Sequence, residues 1–167
     1  DFFLQSITTI MKRVLSAIVL CGLSVMALAQ NPKKVNFAFT EASDLTLVGK
    51  IFENTPNPYH RVDTLVYKGF SKSENLQVRE SSGIAVVFKT NSTIISVQTD
   101  YATPASPTNT NIISARGYDL YIRQNGEWVY AASGVSHNNK MDENFVLIKD
   151  MDGSMHECLM YLPTYSE

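Results

Sequence analysis

Downstream of residue 30 the hydrophobic positions run in short clusters, and no window keeps apolar residues at i, i+3, i+4 and i+7 for long enough to predict a helix. The clusters are rich in Val, Ile, Phe, Tyr and Thr and are separated by polar turn residues, which is the pattern of strands. Three pairs stand out. Gly83–Lys89 and Thr93–Thr99 flank Thr90-Asn91-Ser92, Tyr118–Arg123 and Glu127–Ala132 flank Gln124-Asn125-Gly126, and Asn144–Lys149 and His156–Leu162 flank Asp150–Gly153. Each reads as a hairpin, the second most clearly, because Asn-Gly supplies the positive φ angles of a tight turn. Val35–Phe39, Leu45–Ile51 and Thr64–Phe70 are weaker strand candidates. About nine strands without helices predict an all-β antiparallel sandwich or barrel. Phe52–Asp63 and Tyr101–Asn111, with their prolines, read as loops inside that one domain.

The start of the chain has a different pattern. Met11-Lys12-Arg13 precedes an apolar run from Val14 to Val25 and the small-x-small ending Ala27-Leu28-Ala29. That order of positive, apolar and small residues is a signal peptide helix, residues 11–29, cleaved before Gln30. The run is too short for a membrane anchor, and Leu20 before Cys21 argues against a lipidation site. Residues 1–10 precede a complete signal and are expected to be upstream sequence, not part of the fold. Residues 30–167 are then the exported β domain, with no membrane contact after cleavage.

Charge narrows the function. The 14 basic and 16 acidic side chains give a net charge of -2 without long runs, so no basic footprint for nucleic acid exists. One cysteine, Cys158, follows the signal segment. It cannot close an internal disulfide and is expected to be a small buried hydrophobe.

Most residues with the composition of a reactive site lack its spacing. Asp152-Gly153-Ser154 lies where a turn is expected and has the wrong order for a nucleophile elbow. Asp150-x-Asp152-Gly153 would need carboxylates at Ile148 and Leu159 to be a calcium loop. His60, His137 and His156 lack zinc-ligand spacing, and Ser136-His137 adjacency does not make a nucleophile and base pair. No catalytic residue, metal ligand or cofactor is assigned. Aromatic residues remain. Tyr118, Tyr121, Trp128 and Tyr130 fall in one hairpin, with Tyr101 beside the proline-rich loop. Alternation puts Leu120 and Ile122 on one face and Asp119, Tyr121 and Arg123 on the other.

Here the sequence resembles a family. Gly117-Tyr118-Asp119-Leu120-Tyr121 matches the Gly-x-Asp-Leu-Tyr signature of the β-sandwich domain at the N-terminus of many secreted bacterial esterases of the SGNH (GDSL) hydrolase superfamily. Ser82-Gly83, the run Val86–Thr93, Trp128 after the signature turn, and Tyr161-Leu162-Pro163-x-Tyr165 are similar to further features of that domain, in the same order.

The resemblance implies a jelly-roll-like module upstream of a C-terminal SGNH hydrolase domain acting on esters, typically acetyl groups on carbohydrate. None of the hydrolase's catalytic blocks is in this chain, so no catalytic role transfers to any position. Gly117, Asp119, Tyr121, Arg123 and Trp128 are the candidates for a signature, domain-contact or ligand role. Gly117 is expected at a bend or close backbone approach, and Asp119, if buried, needs donors such as Arg123 or backbone amides. The expected function is a non-catalytic accessory domain of an exported carbohydrate esterase. The alternatives are an independent carbohydrate-binding module and a small hydrolase with an unrecognised site. A sandwich lacking its last strand and its hydrolase would leave an open edge, for which His156–Leu162 is the candidate.

Overall fold

The computed structural model describes residues 35–102, 110–135 and 145–166. The expected signal peptide, the segment before it and Ser136-His137 lie outside the described residues. Residues 38–167 group as one compact unit, which carries both sheets.

Among the described residues seven strands make two antiparallel sheets. β1 (Thr46–Val48), β2 (Ala85–Thr90), β7 (His156–Tyr161), β4 (Gly117–Gln124) and β5 (Glu127–Val135) form one sheet in that order. β3 (Ile95–Val97) and β6 (Phe145–Ile148) form the other. The sheets share a core: Ile95, Val97 and Leu147 of the small sheet are buried in one cluster with Tyr118, Leu120, Ile122, Cys158 and Met160 of the large one. Alternate residues of β3, β4 and β7 supply most of that core, as half-buried strands require. The all-β sandwich is thus present among the described residues.

The hairpins fare unequally. β4 and β5 pair around Asn125 and Gly126, both at positive φ (52° and 88°), as the Asn-Gly pair predicts. The other two expected hairpins do not form. β2 pairs with β1 and β7, while β3 pairs with β6, so the chain crosses from one sheet to the other at Thr90–Ile94 and again between β6 and β7. Crossing lets both sheets bury an apolar face, which adjacent pairing within one sheet would not do. The same crossing corrects the expected open edge. β7 is the middle strand of the large sheet, paired with β2 on one side and β4 on the other.

Other expectations are overturned as well. Val35–Phe39 and Thr64–Phe70 are not strands, and of Leu45–Ile51 only Thr46–Val48 is. Helices are present: α1 (Lys72–Gln77) and α2 (Ile112–Arg116), besides a 3-10 turn at Ala42–Asp44. Ser71 caps α1 through a capping box with Glu74, and the Asn111 side chain accepts from Ser114 N at 2.8 Å at the start of α2. These caps, more than any apolar periodicity, set such short helices. No helix among the described residues is long and apolar enough to cross a membrane.

The candidate functional site

The signature strand runs directly out of a helix. α2 ends at Arg116 and β4 begins at Gly117, whose N–H still donates to the Ile113 carbonyl. A Cβ on Gly117 would lie 2.2 Å from that same oxygen. Its φ and ψ of -76° and 147° are open to any residue, so glycine serves a close approach here and not a special dihedral.

From Gly117 the strand alternates. Tyr118, Leu120 and Ile122 are buried, while Asp119 and Arg123 are exposed and Tyr121 is half-buried on the outer face of the large sheet. A bulge resets the partner strand: Leu120 faces Ala132, but Tyr121 faces Tyr130, leaving Ala131 as the extra residue. The reset brings Tyr130 onto the outer face beside Tyr121, with the rings edge to face at 5.9 Å and 78°. On the other side Tyr161 of β7 meets Tyr121 at 6.0 Å and 81°. Tyr130 is 57% and Tyr161 41% exposed, and the Tyr130 hydroxyl donates to Ser133 Oγ at 2.9 Å. Further along, the Arg123 guanidinium lies 5.2 Å from the Trp128 ring centroid.

The structure therefore places Asp119, Tyr121, Arg123 and Trp128 on the β4–β5 hairpin, and it brings the Tyr130 and Tyr161 rings against Tyr121. Asp119 is exposed, so it needs no buried donors, and Arg123 stacks on Trp128. Tyr161 lies beyond the reach of sequence patterns because nothing in the order of strands says that β7 neighbours β4.

Beneath the signature, the inner face carries a second polar group. Tyr118 is buried and its hydroxyl lies 2.6 Å from Thr99 Oγ1. Burial raises the Tyr118 pKa, so the phenol stays protonated. Tyr101 lies beside this pair, 6% exposed, its hydroxyl without a hydrogen bond of good geometry, and the buried Arg116 guanidinium sits 4.2 Å from its ring centroid. Burial raises the Tyr101 pKa as well. Arg116, just before the signature glycine, is a buried cation that a strand-based reading passes over. These rings border a cavity of about 400 Å³ floored by Val86, Phe88, Val97 and Met160. At its rim the Tyr59 hydroxyl donates to Glu41 and accepts from Ser43 N at 3.1 Å. Burial, followed by the Glu41 carboxylate, pushes Tyr59 up to about 12.

One Ser-His-Asp grouping exists among the described residues, in the β6–β7 connection. Asp152 Oδ1 lies 2.9 Å from His156 Nε2 and accepts from Ser154 Oγ at 2.8 Å and from Ser154 N at 2.8 Å. Ser154 Oγ is 3.2 Å from the same Nε2. A catalytic relay needs the carboxylate on one ring nitrogen and the nucleophile on the other. Here both meet at Nε2, and the hydroxyl proton is committed to the carboxylate. The grouping is a turn lock. Its hydrogen bonds, from the Ser154 backbone first, pull the exposed Asp152 carboxyl down to about 2. Among the described residues no three metal-ligating side chains converge.

Comparison with known proteins fits this geometry. Residues 36–167 match the model of the GxDLY family, described as the N-terminus of SGNH-hydrolase-type esterases. A solved structure described as a putative GDSL-like lipase from Bacteroides ovatus is 32% identical, with a TM-score of 0.72, and the match covers 79% of this chain and 38% of that one. No curated protein sequence matches. The Gly117–Tyr121 strand, its sandwich and the family match over nearly all of the described chain agree, and the chain belongs to the GxDLY family of N-terminal domains of SGNH-type esterases.

Proposed function

We propose that this chain is the non-catalytic accessory domain of an exported SGNH-type ester hydrolase whose substrates are carbohydrate esters. The observation that carries the accessory role is the extent of the match: a whole-domain family at the esterase N-terminus, covering 38% of a lipase-like relative. The turn lock at Asp152, Ser154 and His156 supports it from the other side, since the one grouping with triad chemistry among the described residues has relay geometry at neither ring nitrogen. Export rests on the tripartite segment at residues 11–29.

The carbohydrate part of the reading is supported by the outer face. Tyr121, Tyr130 and Tyr161 form a contiguous, partly exposed ring cluster, with Trp128 further along the hairpin. Such rings offer apolar faces for sugar C–H groups and hydroxyls for hydrogen bonds. The test uses the full-length protein from its gene. It is expected to hydrolyse 4-nitrophenyl acetate and to bind insoluble acetylated xylan. Tyr130→Ser with Tyr161→Ser is expected to weaken polysaccharide binding while leaving kcat on the soluble ester unchanged. Absence of ester hydrolysis from the full-length protein would overturn the accessory reading. Unchanged polysaccharide binding in the double variant would overturn the sugar face.

A further inference from the structure

The long connection from β1 to α1 carries an apolar surface that the sheet does not use. Ile51 is 88%, Leu65 69% and Val66 67% exposed, and Tyr67 and Phe70 are exposed beside them in sequence. Single exposed apolar residues are ordinary, but Leu65, Val66 and Tyr67 are three in succession, and Ile51 precedes the residue that meets Tyr67. The two arms of the connection meet, because the Phe52 and Tyr67 rings are 4.8 Å apart.

The segment is held in place. The Lys50 ammonium donates to Thr55 Oγ1 and to the Pro58 carbonyl, both at 2.7 Å. Asp63 closes the turn that presents Leu65 and Val66: its Oδ1 accepts from Leu65 N at 2.8 Å and its carbonyl accepts from Tyr67 N at 2.9 Å. Ordering exposed aliphatic side chains on a fixed scaffold costs conformational entropy and yields no burial within this domain. Burial against a partner offsets that cost.

The position of the loop selects the partner. Arg61 Nε donates to the Glu80 carbonyl at 2.7 Å, which ties the loop to residue 80. The next residue, Ser81, is buried and holds the end of the domain: its N–H donates to the Ser166 carbonyl at 3.0 Å and its Oγ to the Pro163 carbonyl at 2.8 Å. The last described segment and the base of the apolar loop are thus fastened to adjacent residues. A domain continuing from Ser166 starts beside the base of this loop, which Arg61 fastens to Glu80 next to Ser81.

Resting on the accessory reading above, we infer that Ile51, Leu65, Val66 and Tyr67 form the docking surface for the C-terminal hydrolase domain of the same chain. Interfaces between domains of one chain bury roughly 600–1,500 Å², and Tyr67 supplies the kind of aromatic residue that anchors such contacts.

The experiment is thiol footprinting of the full-length protein. Val66→Cys, and separately Leu65→Cys, are compared with Met155→Cys, a 65% exposed position in the β6–β7 connection. Cys158 is buried and does not label in the folded domain. Maleimide is expected to label Val66→Cys and Leu65→Cys at least tenfold more slowly than Met155→Cys. Equal rates in a protein that hydrolyses esters would overturn the docking surface and leave the accessory reading standing. A full-length protein without a downstream hydrolase domain or ester hydrolysis would overturn both. Melting curves matching the parent confirm that each variant is folded, and two positions on one turn guard against a single misfolded variant.

Discussion

Gly117→Ala tests the claim that the signature glycine exists for a close approach. The added methyl would sit 2.2 Å from the Ile113 carbonyl oxygen and 3.2 Å from its carbon, both backbone atoms that cannot rotate away. Reaching ordinary contact requires a shift of about 1 Å between the end of α2 and the start of β4. That shift strains the Gly117 N–H bond to Ile113, worth about 0.5–1.5 kcal/mol. It also moves Ala115, whose carbonyl accepts from Tyr165 N at 3.1 Å and from Ser166 Oγ at 3.3 Å. Overpacking itself costs about 1–3 kcal/mol. Together these give a destabilisation of about 2–4 kcal/mol, or roughly 10 °C in Tm for a domain of this size. Urea unfolding followed by far-UV circular dichroism measures it. A variant within about 0.5 kcal/mol of the parent would refute the steric argument, because the dihedrals of Gly117 supply no other reason for glycine.

Four further outcomes are expected. Leu120→Ala, at a fully buried site between β5 and β7, should cost about 2–5 kcal/mol in the same assay. Ser154→Ala in the full-length protein should leave kcat for ester hydrolysis unchanged, and a loss of tenfold or more would make the turn lock a working relay. The Cys158 thiol, which burial pushes up to about 11 from 9.0, should stay silent to 5,5′-dithiobis(2-nitrobenzoate) at pH 8 until the protein unfolds. Finally, the pKa values of Cys158, Tyr59 and Tyr118 are all raised in the fold, so their contribution is full below about pH 9 and is lost as pH rises through about 11 and 12. Tm should fall over that window, and a flat profile to pH 11 would contradict the burial of these groups.

Local rules read the signature hairpin well. Asn125-Gly126 sets the turn, and alternation along Tyr118–Arg123 separates core from surface, because both depend on residues within ten positions of one another. They fail where the partner is distant. Thr90-Asn91-Ser92 and Asp150–Gly153 have hairpin composition, yet each connection passes between sheets. Pairing β2 with β7 joins Thr90 to His156 and Ala85 to Tyr161, a ladder that no local turn signal encodes. The short helices escape for a related reason: α1 has too few turns for a periodic stripe, and its legible mark is the Ser71-x-x-Glu74 box.

The same limit explains why the candidate surfaces are only half visible in the sequence. Tyr121, Trp128 and Tyr130 lie on one hairpin and can be grouped from sequence, though not by face. Tyr130 joins Tyr121 only because Ala131 bulges, and Tyr161 joins them only because β7 takes the central place beside β4. Thr64–Phe70 shows the opposite error. Its apolar residues look like a strand because burial is the usual fate of Leu-Val-Tyr, but no strand of either sheet pairs with them. Asp63 turns the segment outward, and an apolar run without a ladder or a core has to find its burial elsewhere. That is why the failure of the strand reading at Leu65 and Val66, and not the success of the hairpin reading, marks the proposed docking surface.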